Sequence, residues 1–385
     1  MLTVKLIVKN AFRHKLRTAL TIASVTIAIL SFGMLRTLID AWYAGVAASS
    51  ANRLVTRNSI SLVFSLPIAY RSKIQQVDGV TLVSYGNWFG GVYIEEKNFF
   101  ANFAVEPASY LELYPELVLS PKQKQAFLKD KKSAVAGQKV AARFGWKVGD
   151  LITLKGTIFP GNWDLSLQGV YRGRDHTVDE TMFLFHWDYV NETMKKTTPR
   201  RADQIGFYIV GIKDPKKTAE IADAIDRLFK NTLAETLTET EKAFQMSFIS
   251  MTEAIVIAIE IVSFVVIIII MAVVANTMSM TARERMSEYA TLKTLGFRGG
   301  FLYGIILGES LVVTVTGAAL GIVMTYPVAD YFSDKLGAFF PIFNVAKETL
   351  YLEFAAALCV AVVASISPAV SAIRIRIVDG LRKMG

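Results

Sequence analysis

Charged residues are scarce in this chain. Asp, Glu, Lys and Arg make up 19% of its 385 residues and apolar types 52%, where a water-soluble protein carries about a quarter charged. With a mean hydropathy of +0.38, that shortage excludes an ordinary soluble chain and points to membrane spans beside a water-soluble region. Cysteine is nearly missing. The single copy, Cys359, excludes an intrachain disulfide, so any exported domain must be held by packing. There is no G-x-x-x-x-G-K-[ST] phosphate loop, and no nucleophile–base constellation stands out. Neither nucleotide hydrolysis nor an external hydrolase activity can be read from these residues.

What is present is organised by hydropathy. A bilayer core of about 30 Å needs about 20 mostly apolar residues in a helix, and four segments qualify: 18–38, 254–275, about 304–326 and 350–370. The net charge of +9 sets the orientation. Residues 1–17 carry Lys5, Lys9, Arg13, Lys15 and Arg17 with no acid, and Arg283, Arg285, Lys293 and Arg298 follow the second run. Arg374, Arg376, Arg382 and Lys383 close the chain. By the positive-inside rule both termini and the 276–300 loop face the cytoplasm. A cleaved signal peptide ending at "AASSA" (47–51) fits poorly, because the first apolar run exceeds the usual core of about 7–15 residues.

The expected plan is an α-helical membrane protein with four transmembrane helices and a large α/β extracytoplasmic domain inserted between helices 1 and 2. Residues 1–17 form a cytoplasmic amphipathic helix, with Val4, Ile7, Val8, Ala11 and Phe12 on one face and Lys5, Lys9 and Arg13 on another. Spans occupy 18–38, 246–275 (with a stalk end), 301–328 and 350–373. The external domain fills 39–245, a cytoplasmic loop 276–300, a short external loop 329–349 and a cytoplasmic tail 374–385. Within the domain, 79–85, 150–156, 165–171, 181–185 and 205–212 read as strands. Helices are expected at about 137–145 and after Asp214-Pro215, the latter burying Ala222, Ile225, Leu228 and Phe229. Segments 39–58 and 232–253 have the composition of helical stalks.

The loop "TARERMSEYATLKTLGF" (281–297) places charges between two greasy runs in a segment too short to be a domain. It reads as a helix with Met286, Tyr289 and Leu292 on one ridge and Gly296 as its C-terminal cap. Tethered to spans at both ends, it suits docking in a cleft of a soluble partner. "RERMSEYATLKTLGFRGGFLYGIILGESLVV" followed by "GAALGI" resembles the FtsX-like permease domain of MacB-type and lipoprotein-releasing ABC transporters. "SPAVSAIRIRIVDGLR" resembles the family's closing segment and "NAFRHKLRTALTIASVTIAI" its opening one. "AVAGQKVAARFGWKVGDLITLKG" is similar to the MacB-type external domain.

The resemblance implies a dimeric permease or a pair with a sister permease, in a bacterial inner membrane. A separate ABC ATPase would bind ATP and Mg, with no cofactor on this chain, and its closure would be relayed mechanically to the external domain. A membrane-fusion adaptor is a further implied partner; nucleic acid is not. Carried over by position, Arg283, Glu284, Arg285, Glu288 and Lys293 are the ATPase-docking residues, and Glu309 is the Glu of the family's "ES" motif. The alternative reading is a non-transporting regulator that activates an external enzyme through the same relay.

Other candidates follow from residue type. Arg36 and Glu260, together with Glu309, lie at membrane depth, where ionisable groups seek partners. Arg36 and Glu260 are expected to pair. Trp88, Phe89, Tyr93, Phe99 and Phe100 offer either an aromatic surface for substrate or adaptor, or core. His176, Asp179, Glu180, His186 and Asp188 fit no metal spacing and read as an acidic turn before a strand. Reporter fusions near residues 150 and 290 are expected on opposite sides of the membrane; a shared compartment would overturn the topology.

Overall fold

The apolar runs fold as continuous helices in the computed structural model, which describes residues 2–175, 177–250, 252–336, 340 and 342–374. His176, Arg376, Arg382 and Lys383 lie outside the described residues, as does part of the expected 329–349 loop. Four helices are long and apolar enough to cross a membrane: TM1 Lys15–Val46, TM2 Glu253–Glu284, TM3 Gly299–Ser333 and TM4 Lys347–Arg374. Each is longer than its apolar stretch, because a helix that satisfies its own backbone continues through polar flanks until a breaker intervenes. A separate N-terminal helix, Leu2–Ala11, precedes TM1. The basic stretch expected as one helix therefore bends at residues 12–14.

Two compact units result. The first takes residues 1–40, 253–334 and 343 onward, the second 41–252 and 335–342. In the first, Val25 and Ile29 of TM1 pack with Ile270 and Val274 of TM2, Val313 and Ala318 of TM3, and Ala357, Val360 and Ala364 of TM4. Gly317 and Gly321 form a small-xxx-small pair that lets TM1 approach TM3. A Cβ at Gly317 would lie 2.7 Å from Val25 Cβ, and one at Gly321 3.0 Å from the Thr26 carbonyl oxygen. TM2 is the odd member: only 17% of its apolar window is buried. Ile257, Ile261, Phe264 and Ile268 remain exposed, as suits a helix facing lipid.

The second unit is α/β. Its strands are β1 Arg53–Asn58, β2 Leu66–Pro67, β3 Val80–Trp88, β4 Asn102–Val105, β5 Leu117–Val118 and β6 Ser133–Gly137. They continue as β7 Leu151–Gly156, β8 Gly161–Gly173, β9 Phe183–His186, β10 Gln204–Ile205, β11 Phe207–Ile212 and β12 Thr236–Thr240. Ten form one sheet in the order β12-β1-β11-β3-β4-β9-β6-β8-β5, with β7 on β8. Only the β4–β9 and β6–β8 pairs are parallel. All five sequence-expected strands are present. So are the helices Gln138–Phe144 and Thr218–Leu228, with Asp214 accepting a hydrogen bond from the Lys216 amide at 3.0 Å. Ile221 joins the buried face of the second helix and Leu228 is exposed, reversing its expected role.

The stalk expectation holds in part, since the TM1 helix runs on to Ala48 and a further helix spans Glu241–Ser250, and it is corrected next to both. Residues 53–58 and 236–240 are strands, β1 and β12, paired antiparallel from Leu54↔Thr240 to Asn58↔Thr236. Arg53, Leu54, Val55, Thr56 and Asn58 are all buried, and burial on both faces of a paired strand outweighs the helical composition. Where β1 begins and β12 ends, Arg53 bonds the Glu241 carboxylate at 2.8 Å and the Glu116 carboxylate at 2.7 Å. Its guanidinium lies 4.1 Å from the Tyr114 ring centroid, and Tyr114 donates to Glu241 at 3.0 Å. Burial works against the Arg53 charge, but the two carboxylates more than offset it and hold the guanidinium firmly protonated.

Removing one partner of such a buried pair leaves an uncompensated charge. Arg53→Ala should therefore destabilise the external unit by about 3–5 kcal/mol, read as a lower denaturant midpoint of the full chain by tryptophan fluorescence. An unchanged midpoint would show the cluster to be dispensable.

Candidate functional site

TM2 ends at Glu284, inside the 281–297 segment. Arg285 leaves helical geometry (φ −106°, ψ 14°), and the coupling helix Met286–Thr294 follows. It closes with the expected glycine cap. Gly296 has φ +89°, its amide donates to the Lys293 carbonyl at 3.0 Å, and the Phe297 amide donates to the Leu292 carbonyl at 3.1 Å, a Schellman closure. The ridge of Met286, Tyr289 and Leu292 turns inward, however. It packs on Leu302 and Ile306 of TM3 and on Ala369 and Ala372 of TM4. Apolar residues at helical spacing beside two spans bury most area there, so the ridge seats the helix on its own bundle and does not face a partner.

The five docking candidates divide in the same way. Arg283 is exposed. Arg285 is buried, donating at 2.6 Å to Glu309 of TM3 and at 2.8 Å to Glu288, with its guanidinium 5.2 Å from the Tyr289 ring centroid. Glu284 accepts two hydrogen bonds from Arg17, both 2.8 Å, and lies 3.6 Å from His14 Nε2. Glu288 pairs with Arg13. Lys293 donates to the Ile373 carbonyl at 2.5 Å. Asn10 hydrogen-bonds the Glu309 carboxylate.

Four of the five thus bind the end of TM2 and the coupling helix to the N-terminal segment, TM1, TM3 and TM4. Burial opposes charge on both Arg285 and Glu288. The Glu309 carboxylate keeps the Arg285 guanidinium protonated, and hydrogen bonds from Arg285 and Arg13 hold the Glu288 carboxyl below its ordinary range. Beside this network lies a cavity of about 30 Å³ lined by Asn10, His14, Arg17, Thr281 and Glu309, room for about one water.

What remains exposed is the tip. Leu295 is 70% exposed and Phe297 42%, flanked by Thr294 and Arg298. Charge pattern alone does not point to Leu295 and Phe297, although two apolar side chains around a cap glycine are a readable signal.

The remaining candidates are placed as follows. Arg36 lies 3.6 Å from Asp40, one turn along TM1, and Glu260 is exposed on TM2. The expected Arg36–Glu260 pair is absent, since a local i,i+4 acid reaches the guanidinium first. Phe89 and Phe100 are core residues, and Tyr93 packs on Trp146 with ring centroids 5.0 Å apart. Only Trp88 (38%) and Phe99 (46%) remain as an exposed aromatic pair. Asn102 enforces this folding-in by pinning both backbone groups of Gly91, at 2.7 and 2.9 Å. His186 is buried between the Phe127 carbonyl and Ser133, and among the described residues no His, Cys, Asp or Glu group could hold a metal.

A buried acid in TM4, Glu353, belongs with the residues the sequence reading overlooked. It stands alone in the run "LYLEFAAALC", and that isolation is itself the missed signal.

Glu309→Ala leaves Arg285 buried against one remaining, half-exposed acid, so the membrane unit should lose about 3–5 kcal/mol. The swap Arg285→Glu with Glu309→Arg should recover part of it. Thermal unfolding of Glu309→Ala and of the swapped double variant in detergent tests the pair; equal losses in the two would argue against it.

The FtsX-like permease C-terminal family matches residues 260–377, a range that includes the coupling helix, Glu309 and Glu353. An uncharacterized ABC transporter permease of Methanocaldococcus jannaschii is 24% identical over 67% of this chain, and the match spans 64% of that relative, under two thirds of its length. Among solved structures, the extracellular domain of the noncanonic ABC-type transporter YknZ from Gram-positive bacteria is similar over 49% of this chain and 100% of its own, at 14% identity and a TM-score of 0.36. A domain provisionally described as part of a permease protein from Porphyromonas gingivalis is similar over 49% of this chain and 90% of its own, at 15% identity and a TM-score of 0.34. Residues 260–377 are thus similar to the FtsX-like permease C-terminal family, a match that covers less than half of the chain.

Proposed function

We propose that this chain is the permease subunit of an ABC transporter of the MacB or lipoprotein-release type. A separate ATPase binds ATP and Mg, grips the coupling helix, and drives motion that the spans deliver to the external domain, where a peptide, lipid or lipoprotein is exported or extracted. The chain works beside a second copy or a sister permease in the inner membrane of a bacterium, with both termini in the cytoplasm and, for export, an external adaptor.

One observation carries the reading. The coupling helix is clamped to TM3 by the buried Arg285–Glu309 pair, to TM4 through Lys293 and to the N-terminal segment through Arg13, while Arg17 of TM1 holds Glu284 at the end of TM2. A helix fixed this firmly does not absorb a push by bending; it passes displacement to the spans. The contact with the ATPase is assigned to Arg283 and the apolar tip Leu295–Phe297, flanked by Arg298, rather than to the clamped charges. An apolar pair rimmed by cations suits an apolar pocket with an acidic edge.

Purification of the full chain from native membranes should recover an ATPase carrying a phosphate loop. The double variant Leu295→Asp, Phe297→Asp should retain at most about a tenth of it, the effect of about 1.4 kcal/mol, with the thermal stability of the permease unchanged. Absence of any such ATPase would sink the proposal. Recovery of an external hydrolase, with no lipid or peptide cargo, would favour the regulatory reading instead.

A further inference from the structure

Glu353 lies in the first turns of TM4, about 9 Å from Lys347, and Gly33 of TM1 lies about 27 Å from Lys15, at 1.5 Å per residue. Both are at the end of the bundle away from the coupling helix. The Glu353 side chain is 0% exposed. Its Oε1 accepts from Thr325 of TM3 at 3.1 Å, and its Oε2 has no hydrogen-bond partner among the described residues. TM1 presses on the carboxyl through Gly33, where a Cβ would lie 1.8 Å from Oε1.

No described residue forms an ion pair with this acid. On TM1 the nearest charges, Arg36 and Asp40, lie 3.6 Å from each other, and Asp40 accepts from Thr349, one turn before Glu353. Lys347 and Glu348 of TM4, Asp330 of TM3, and Glu253 and Glu260 of TM2 are exposed. Gly33 and Thr325 lie against Oε1, and the residue is fully buried. A carboxylate here would be a buried charge with no ion-pair partner among the described residues; a carboxylic acid carries no charge.

We propose that Glu353 is a proton-binding site, and that the bound proton permits TM1 to pack on TM3 and TM4 through Gly33. Loss of the proton creates a charge that must be hydrated, and the hydration separates TM1 from TM4. Proton activity at that end of the bundle is then a second input to the same helices, independent of the ATPase relay at the other end.

The full chain in lipid nanodiscs, with Cys359→Ser and spin labels at the exposed positions Ile27 and Tyr351, provides the test. At neutral pH the unlabelled protein should show an infrared C=O stretch of a protonated carboxyl that is lost in Glu353→Gln and shifted in Thr325→Val, which removes the hydrogen bond. On alkaline titration the band should bleach while the 27–351 distance lengthens. Glu353→Gln, permanently neutral, should keep the neutral-pH distance throughout. Identical spectra for the parent and Glu353→Gln, or a distance that responds to pH equally in both, would overturn the proposal. If Glu353→Gln fails to fold, the Thr325→Val spectrum decides: an unshifted band overturns it.

Discussion

The buried pair between Arg285 and Glu309 is the contact on which the membrane unit's organisation turns. An arginine at the end of TM2 and a glutamate nearly three turns into TM3 are each costly to bury alone. At 2.6 Å each makes the other tolerable, and the geometry that satisfies them dictates where the coupling helix must sit. Glu288 completes the arginine's coordination and carries the constraint to Arg13, while Glu284 does the same for Arg17. The N-terminal bend, TM1, TM2, TM3 and the coupling helix are thereby tied together at this end of the bundle.

The external unit solves a similar problem with the same chemistry. Its first and last strands lie side by side, and Arg53 ties their ends together through Glu241 and Glu116. The first and last strands are thus tied together at one end, and Phe89 packs edge to face on Trp163 and Phe185 in the aromatic core of the unit. Both devices are buried ionic contacts at points where chain segments converge. Directional bonds of this kind fix a register that apolar packing alone leaves adjustable.

Much of the architecture was legible beforehand for a simple reason. Hydropathy over about 20 residues reports a requirement of the bilayer itself, so the four spans could be counted without any tertiary information. The five strands with alternating or β-branched character were equally readable. The sequence misled where a local signal competed with a distant partner. Residues 53–58 and 236–240 have helical composition but become strands because each supplies the other's hydrogen bonds. The ridge of Met286, Tyr289 and Leu292 has the spacing of a docking face, yet the nearest apolar surface is the chain's own.

By itself, the order of residues determined the number of spans, the presence of an α/β insertion, the coupling helix with its glycine cap, and the list of charges available at each end. These follow from local rules of solvation and backbone geometry. Only the tertiary structure decided which charges meet: that Arg285 finds Glu309, that Arg36 turns to Asp40 rather than Glu260, and that Glu353 meets Gly33 and no cation. Pairing energies depend on distances across helices, and no periodicity along one chain encodes which neighbour arrives first.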